Sequence, residues 1–413
     1  MLSTEDNRLI TQAGQGTPMG TLFRRHWLPA MLSSELPEAD CPPVRLRLLG
    51  EDLVAFRTTS GRVGVIDTYC PHRNANLFWG RNEEEGLRCV YHGWKFDVEG
   101  RCVDMPSEPP SSRYADKVTQ PAYAAVDKGG VIWVYMGPAN LKPELPQLEW
   151  TLVGDNQRKI TKRIQRCNWL QNLEGELDSS HISFLHSRIS PDRGISGGAD
   201  THPVFEVRET DYGLAISARR NTPDGRYYWR VTPYMLPSYT IIPTGPGELQ
   251  TFTGAIPIDD FNMMGFTVSW NADGPISPEQ LRGVASVGGA HAEVDSRFFP
   301  VRNKENDYMI DRLEQKTSSF SGITGVREQD MAVQEDQRGP VSDRPREHLG
   351  TSDLGVIAAR RLLLKQAKAL QQGIEPAQAS EGAVYRVRSA AITADSTIPW
   401  PEAVKEHMLA VVV

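Results

Sequence analysis

The hydrophobic rhythm of the chain changes twice along its length. From about Trp27 to Pro138, short β-rich runs alternate with turns, as in Val44-Arg45-Leu46-Arg47-Leu48-Leu49, Leu53-Val54-Ala55-Phe56-Arg57 and Gly130-Val131-Ile132-Trp133-Val134-Tyr135. Such runs, punctuated by Gly50, Gly61 and Gly100, predict a small antiparallel β domain. A connection from Gly137-Pro138 to Pro146 leads into a mixed region. There, residues 168–188 have few breakers apart from Gly175, and Leu170, Leu173, Leu177, Phe184 and Leu185 predict mainly helix. Strand patterning returns over 201–208, 214–219, 227–233, 239–242, 250–256 and 265–270. From Asn303 on helices are expected. The clearest begins near the capping residues Ser352 and Asp353, buries Leu354, Ile357, Ala358, Leu362 and Leu370, and stops at Gly373. The expected fold class is α+β: residues 1–26 as an N-terminal segment packing on the C-terminal domain, an antiparallel β domain over 27–138, and a second domain over 139–413 in which helices flank an antiparallel sheet.

A chain of 413 residues is long enough for two or more cores. Its composition, 39% hydrophobic and 23% charged, is that of an ordinary soluble protein. The net charge of −7 argues against a nucleic-acid or anionic-membrane partner. No run approaches the ~18 apolar residues of a membrane span, and the acidic start Met1-Leu2-Ser3-Thr4-Glu5-Asp6 lacks the features of a signal peptide. Five scattered cysteines (Cys41, Cys70, Cys89, Cys102, Cys167) do not make a disulfide framework. The expectation is a reduced, cytoplasmic protein whose cysteines are metal ligands or small buried hydrophobes.

Two constellations carry chemistry. In the first, Cys70-Pro71-His72 and Cys89-Val90-Tyr91-His92 form C-x-H-x16-C-x2-H. A Rieske [2Fe–2S] cluster needs two thiolates on one iron and two imidazoles on the other. Two short loops, each offering one Cys and one His, meet that demand. A Cys2His2 zinc site uses the same residue types, but a zinc finger pairs Cys with Cys and His with His along the chain. Arg73, Trp94 and Lys95 surround these ligands, where cationic and aromatic neighbours would raise the potential of the cluster and shield it; the other reading of Trp94, with Phe96, is core of the β domain.

The second constellation is D-x2-H-x4-H at Asp178, His181 and His186. On a helix, positions 178 and 181 share a face, and 186 lies a little over one turn beyond. Two His and one carboxylate on one side of an iron leave the other side open for O2 and substrate. The pair of His alone has a structural reading too. A cluster in the same chain favours the metal, because an electron carrier needs something to reduce.

The stretch from Asn168-Trp169-Leu170-Gln171-Asn172-Leu173-Glu174-Gly175 through His186 resembles the Rieske non-haem iron oxygenase α subunits, the phthalate dioxygenase group in particular. So does Gly325-Val326-Arg327-Glu328-Gln329-Asp330-Met331-Ala332-Val333-Gln334-Glu335, followed by Asp343-Arg344-Pro345-Arg346-Glu347-His348-Leu349-Gly350-Thr351. The resemblance implies mononuclear Fe(II) held by His181, His186 and a third ligand, an Asp with an acidic residue five positions on. Asp330 with Glu335 fits, while Asp336 and Asp343 stay as alternatives. It also implies that Asp178 bridges an iron-ligating His and a cluster His of a neighbouring subunit, so that His92 of one chain faces His181 of the next in a homotrimer or hexamer. The other reading of Asp178 is a helix cap.

No G-x-G-x-x-G follows a strand, so electrons are expected from a separate NAD(P)H-dependent reductase carrying flavin and iron–sulfur centres. The substrate expected is an aromatic, carboxylated molecule, oxygenated with O2. Tyr228, Arg230 and Thr232 share a strand face and Arg219 and Arg220 end the strand before it, and an Arg aimed into an apolar pocket is the natural partner of a carboxylate. Arg230, Arg220 and Tyr228 are the candidates, against a plain surface role for each. A monooxygenase or O-demethylase acting on an aryl ether, and a non-catalytic electron carrier, are the alternatives. The latter leaves the residues beyond about 140 unexplained.

Overall fold

The computed structural model describes residues 2–188, 200–285, 289–376 and 381–411. Three antiparallel sheets organise it. Six strands run in the order Trp27–Leu32, Val131–Tyr135, Ala122–Lys128, Val63–Asp67, Glu51–Arg57 and Val44–Leu48. A four-stranded sheet follows chain order through Arg81–Glu83, Gly86–Arg88, Lys95–Phe96 and Cys102–Asp104. Between the two, Val54, Phe56, Leu77, Leu87, Trp94 and Phe96 form a small separate core.

The third sheet is ordered Arg158–Gln165, Met263–Trp270, Gln250–Pro257, Tyr239–Ile242, Tyr227–Met235, Gly213–Asn221 and Val204–Thr210. One edge of Tyr227–Met235 is shared. Tyr234 and Met235 pair with Thr240 and Tyr239, while Tyr227 to Val231 pair with Ala394 to Ala390. Sequence patterning did not reveal the strand Ala390–Ala394, nor Arg158–Gln165, where charged residues interrupt the apolar run.

The helix Leu354–Gln371 starts at Asp353 and ends before Gly373, as its capping residues predict. Its buried face is Val356, Ala359, Leu362, Leu363 and Ala367, whereas Leu354 is exposed, so the stripe is rotated by about one position from the expected one. The rotation follows from what it packs on. The N-terminal helices Thr4–Thr11 and Pro18–Phe23 lie along it, and so does the strand Val204–Thr210.

Two buried histidines are held neutral. Burial pulls His26 down to about 3. His291, wedged between Thr161 Oγ1 (2.7 Å) and Ser269 Oγ (3.0 Å), is also pulled to about 3 by burial and nearby cations. Both take up a proton only on unfolding. Their folded values are depressed, so stability is expected to be full above the ordinary 6.5 and to fall as pH drops from there towards 3. Denaturation midpoints measured across that window check this.

Candidate active site

The two Cys/His loops close in the same way. Cys70 N–H donates to Ala75 O (2.9 Å) while its carbonyl accepts from Asn74 N–H (2.9 Å). Cys89 N–H donates to Trp94 O (2.8 Å) and its carbonyl accepts from Gly93 N–H (2.9 Å). Closing the turn requires a left-handed residue, supplied by Asn74 (φ 54°) and Gly93 (φ 80°), two of the few residue types that adopt it readily. Cys-x-His-x-Asn and Cys-x-x-His-Gly are thus one turn with the His displaced by a position.

Cys70 and Cys89 are buried, and their mutual hydrogen bond pushes the Cys70 thiol up and the Cys89 thiol down to about 6. The His72 and His92 rings meet edge-on at 4.4 Å, and Trp94 stacks on His72 at 4.4 Å. Nδ1 of both histidines is buried without a hydrogen-bond partner. An orphaned buried polar atom costs about 1–3 kcal/mol, so two of them beside two touching thiols fit a cluster that takes all four. Arg73 leans over the Tyr91 ring at 5.3 Å, and the buried Lys95 reaches Glu84 at 3.4 Å.

The segment 168–188 is not mainly helix. The helix Trp169–Leu177 stops at Asp178, whose Oδ1 accepts from Ser180 N–H at 2.6 Å. An Asp side chain that offers the backbone this alternative partner competes with the next helical turn. His181 to Ser183 form one 3-10 turn, and it is this turn, not a continuous helix face, that swings His181 towards His186. Their Nε2 atoms lie 3.1 Å apart.

Asp330, on the helix Val326–Gln334, completes the group, with Oδ1 at 3.2 Å from His186 Nε2 and 3.6 Å from His181 Nε2. Among the described residues these three are the group whose ligand atoms, all within 4.8 Å of one another, could hold a metal ion. Asp336 instead pairs with Lys304 (2.5 Å) and Asp343 lies 4.0 Å from Arg346. Glu335 accepts from Tyr308 Oη (2.6 Å) and Arg166 N–H (3.1 Å), a scaffold role.

Gly175 lies where the two carrier helices meet: a Cβ there would sit 2.4 Å from Gln334 Nε2 and displace that side chain. Gln334 ties the helices together, accepting at Oε1 from Gln165 (2.7 Å) and Asn172 (3.1 Å) and at its carbonyl from Gln171 (2.7 Å). Behind the triad, buried Arg327 bonds Glu176 and comes within 3.6 Å of Asp330 Oδ2. Burial pushes the Asp330 carboxyl up, but His186, Arg327 and His181 outweigh it and hold it at about 2. Asp178 Oδ2 lies 3.4 Å from His181 Nδ1, and Gln329 Oε1 lies 2.6 Å from His186 Nδ1.

A cavity of about 200 Å3 opens on the triad, walled also by Ile182, Thr232, Ile242, Pro243, Ala290 and Arg230. Arg230 is half-buried, its Nε has no partner, and it makes no ion pair among the described residues. Arg220 does not line this cavity. It is fully buried and donates to Ser179 O (2.5 Å), Ser179 Oγ (3.2 Å) and Ser183 Oγ (3.4 Å), holding the turn that carries His181. Tyr228, opposite Arg220 on the adjacent strand, also stands outside the lining, and Arg219 packs over Tyr227 at 4.2 Å. Strand alternation put Arg230 and Thr232 on the right face, but it does not register how far along the strand the cavity reaches.

Residues 26–122 match the Rieske [2Fe-2S] domain, and residues 134–407 match the family described as LigXa C-terminal domain like. The 3-chlorobenzoate-3,4-dioxygenase oxygenase subunit of Comamonas testosteroni is 38% identical over 99% of both chains. The phthalate 4,5-dioxygenase oxygenase subunit of Pseudomonas putida is 39% identical over 97% of this chain and 94% of that one. The chain belongs to the Rieske non-haem iron oxygenases. The terminal oxygenase of carbazole 1,9a-dioxygenase from Nocardioides aromaticivorans IC177 shares the fold, with a TM-score of 0.58 and 19% identity over 88% of this chain and 97% of that one.

The oxygenase is therefore an enzyme of the α+β class expected, the terminal oxygenase component of its system, with a Rieske [2Fe–2S] cluster and a mononuclear iron as cofactors. No helix among the described residues is long and apolar enough to cross a membrane. Sequence reasoning missed Gln329, Arg327 and Glu176, which support the triad. All three lie within motifs it singled out, but nothing in their spacing shows which ligand each one touches.

Proposed function

We propose that this oxygenase inserts oxygen from O2 into an aromatic carboxylate, with electrons delivered by a separate NAD(P)H-dependent flavin and iron–sulfur reductase. The observation that carries the substrate class is Arg230, a cation without an ion pair among the described residues, in the wall of the cavity beside His181, His186 and Asp330. A guanidinium so placed gains a charge-assisted, bidentate partner when a carboxylate binds. The apolar wall of Ile182, Ile242 and Pro243 suits an aryl ring. The names of the two close relatives, acting on chlorobenzoate and phthalate, point the same way.

In this reading Cys70, His72, Cys89 and His92 hold the cluster, and His181, His186 and Asp330 hold the iron. The cluster supplies electrons singly and the iron supplies activation of O2 beside the bound ring. The chain's own residues orient these groups. Asp178 and Gln329 take the outer nitrogens of the two imidazoles, while Arg230 anchors the substrate and turns one ring edge towards the triad. The division of the chain is proposed as 1–26, 27–138 and 139–413, and the compartment as the cytoplasm, where such a reductase finds NAD(P)H.

The working unit is proposed to be a head-to-tail trimer, or a hexamer built from it. Tyr69, Val90 and Tyr91 are half-exposed beside the cluster loops. Next to Asp178, an open recess of about 910 Å3 is bordered by Ser180, Phe184, Val204 and Leu354. An apolar tip and a separate apolar recess on one chain suit a heterologous ring.

The test is oxygen uptake with a panel of aromatic acids and a surrogate reductase, with products analysed as cis-diol, phenol or demethylated ether. Arg230→Gln is expected to raise KM for the best acid about 10- to 100-fold, the worth of a hydrogen bond to a charged group, with little change for an uncharged analogue. An unchanged KM for the acid would remove Arg230 as its anchor.

A further inference from the structure

The imidazoles of His181 and His186 are supported by unlike partners. His181 Nδ1 faces the Asp178 carboxylate, whereas His186 Nδ1 is 2.6 Å from the neutral amide oxygen of Gln329. The identity of that amide atom is fixed by the other end of the side chain. Gln329 Nε2 is 2.8 Å from Ile323 O, a backbone carbonyl that can only accept. The NH2 group must face Ile323, so Oε1 must face His186, and His186 Nδ1 must then carry the proton. In the neutral ring the lone pair is then on Nε2, the atom 3.2 Å from Asp330 Oδ1 and the one that would face a metal ion. Gln329 is nine-tenths buried and adjoins Asp330 on the same helix, which leaves it little freedom to turn.

We propose that Gln329 is a positioning residue that locks His186 as the Nδ1–H tautomer and thereby sets the affinity of the triad for iron. This deepens the assignment of His181, His186 and Asp330 as iron ligands and rests on it. In the absence of the lock, neutral imidazole divides between two tautomers, and the ring loses the contact that fixes its plane. An acceptor on the outer nitrogen of a metal-bound His contributes about 10- to 100-fold in metal affinity.

The test compares two variants of nearly native shape in the full-length protein. Gln329→Met removes the acceptor and Gln329→Glu keeps one. The readout is the ferrous-ion dissociation constant at the mononuclear site, by equilibrium dialysis and metal analysis, with cluster absorbance and thermal midpoint as controls for folding. Gln329→Met is expected to bind ferrous ion about 10- to 100-fold more weakly than native, with Gln329→Glu tighter than Gln329→Met. The proposal is overturned if Gln329→Met binds as native does, or if Gln329→Glu binds no more tightly than Gln329→Met. Asp330→Ala separates the two levels of the argument. If it too binds as native does, the triad assignment itself fails. If it loses the ion while Gln329→Met keeps it, the role of Gln329 alone fails.

Discussion

Asp178→Asn is expected to leave the visible absorbance of the cluster intact while reducing turnover per bound iron by about 10- to 100-fold or more. The carboxylate has two jobs in this structure. Oδ1 closes the end of the helix Trp169–Leu177 by accepting from Ser180 N–H, and Oδ2 faces His181 Nδ1 at 3.4 Å. Asparagine keeps one oxygen. Whichever way its amide turns, an N–H2 replaces an acceptor either at Ser180 N–H or at the His181 ring. Capping favours keeping the oxygen on Ser180, so the mismatch falls on His181, and the fold survives. Burial pushes the Asp178 carboxyl up, but its bonds to His181 and Ser180 outweigh this and hold it below the ordinary range, so the native group is charged. In a head-to-tail ring its remaining lone pairs would meet His92 of the next chain. Mixing subunits tests that geometry. Alone, a cluster-less chain (Cys89→Ser) is expected to be inactive and an Asp178→Asn chain to keep at most its reduced turnover. In randomly mixed rings about a quarter of the junctions pair an intact cluster with an intact Asp178 on the neighbour. Recovery of activity in the mixture is the expected result. Mixed oligomers of the right mass that stay inactive would mean that electrons do not cross between chains at Asp178.

The sequence conveyed the metal-ligand types better than their geometry, for physical reasons visible in particular residues. Cys70, His72, Cys89 and His92 are close in sequence within two tight turns, so local spacing almost determines their placement. Six strand runs of the C-terminal sheet were likewise legible, because apolar and β-branched runs bounded by turn residues stay readable even where, as in Met263–Trp270, both faces are buried. The helix end at Asp178 was not legible, since the apolar residues Phe184 and Leu185 continue a helical spacing that the Asp178–Ser180 bond interrupts. Asp330 was singled out by resemblance, and physics alone had no means to choose it over Asp336 or Asp343. It is 144 residues from His186 in the chain, and only the packing of the helix Val326–Gln334 on Trp169–Leu177 brings the two together. Arg220 shows the converse error. A buried Arg near the site was taken for a substrate ligand, but both its Nη groups hold the turn at Ser179 and Ser183 and it stands outside the cavity lining. Arg230, in the cavity wall and without an ion pair among the described residues, is what a waiting substrate ligand looks like.

The largest stability effect is expected at Glu174, on the helix that leads to Asp178. Its carboxylate accepts from Arg344 Nε (3.0 Å) and Nη2 (2.9 Å) and from Arg360 Nε (2.6 Å), and Arg360 in turn bonds Glu347 at 2.6 Å. Arg344 is fully buried and Arg360 nearly so. The arrangement links the helix Trp169–Leu177 to the helix Leu354–Gln371 and to the segment between Asp343 and Glu347. Replacing such a network with apolar residues throughout can be neutral, but removing one partner strands the others. Glu174→Ala leaves two buried guanidinium groups without their carboxylate, so a loss of about 3–5 kcal/mol is expected, or roughly 10 °C in thermal midpoint at about 2–4 °C per kcal/mol. Burial alone pushes the Glu174 carboxyl up, yet the two arginines outweigh it and hold it below the ordinary 4.5. A depressed folded value stabilises the protein above the unfolded value and loses that contribution as pH falls through the folded one. The variant should therefore be less stable than native at pH 7 and show a shallower loss of stability below pH 4.5. Equal midpoints for variant and native at pH 7 would mean that water reaches Arg344 and Arg360 once the carboxylate is gone. Because Asp178 ends the same helix, a weakened Glu174 anchor also loosens the turn that presents His181, and iron content should fall with stability rather than independently of it.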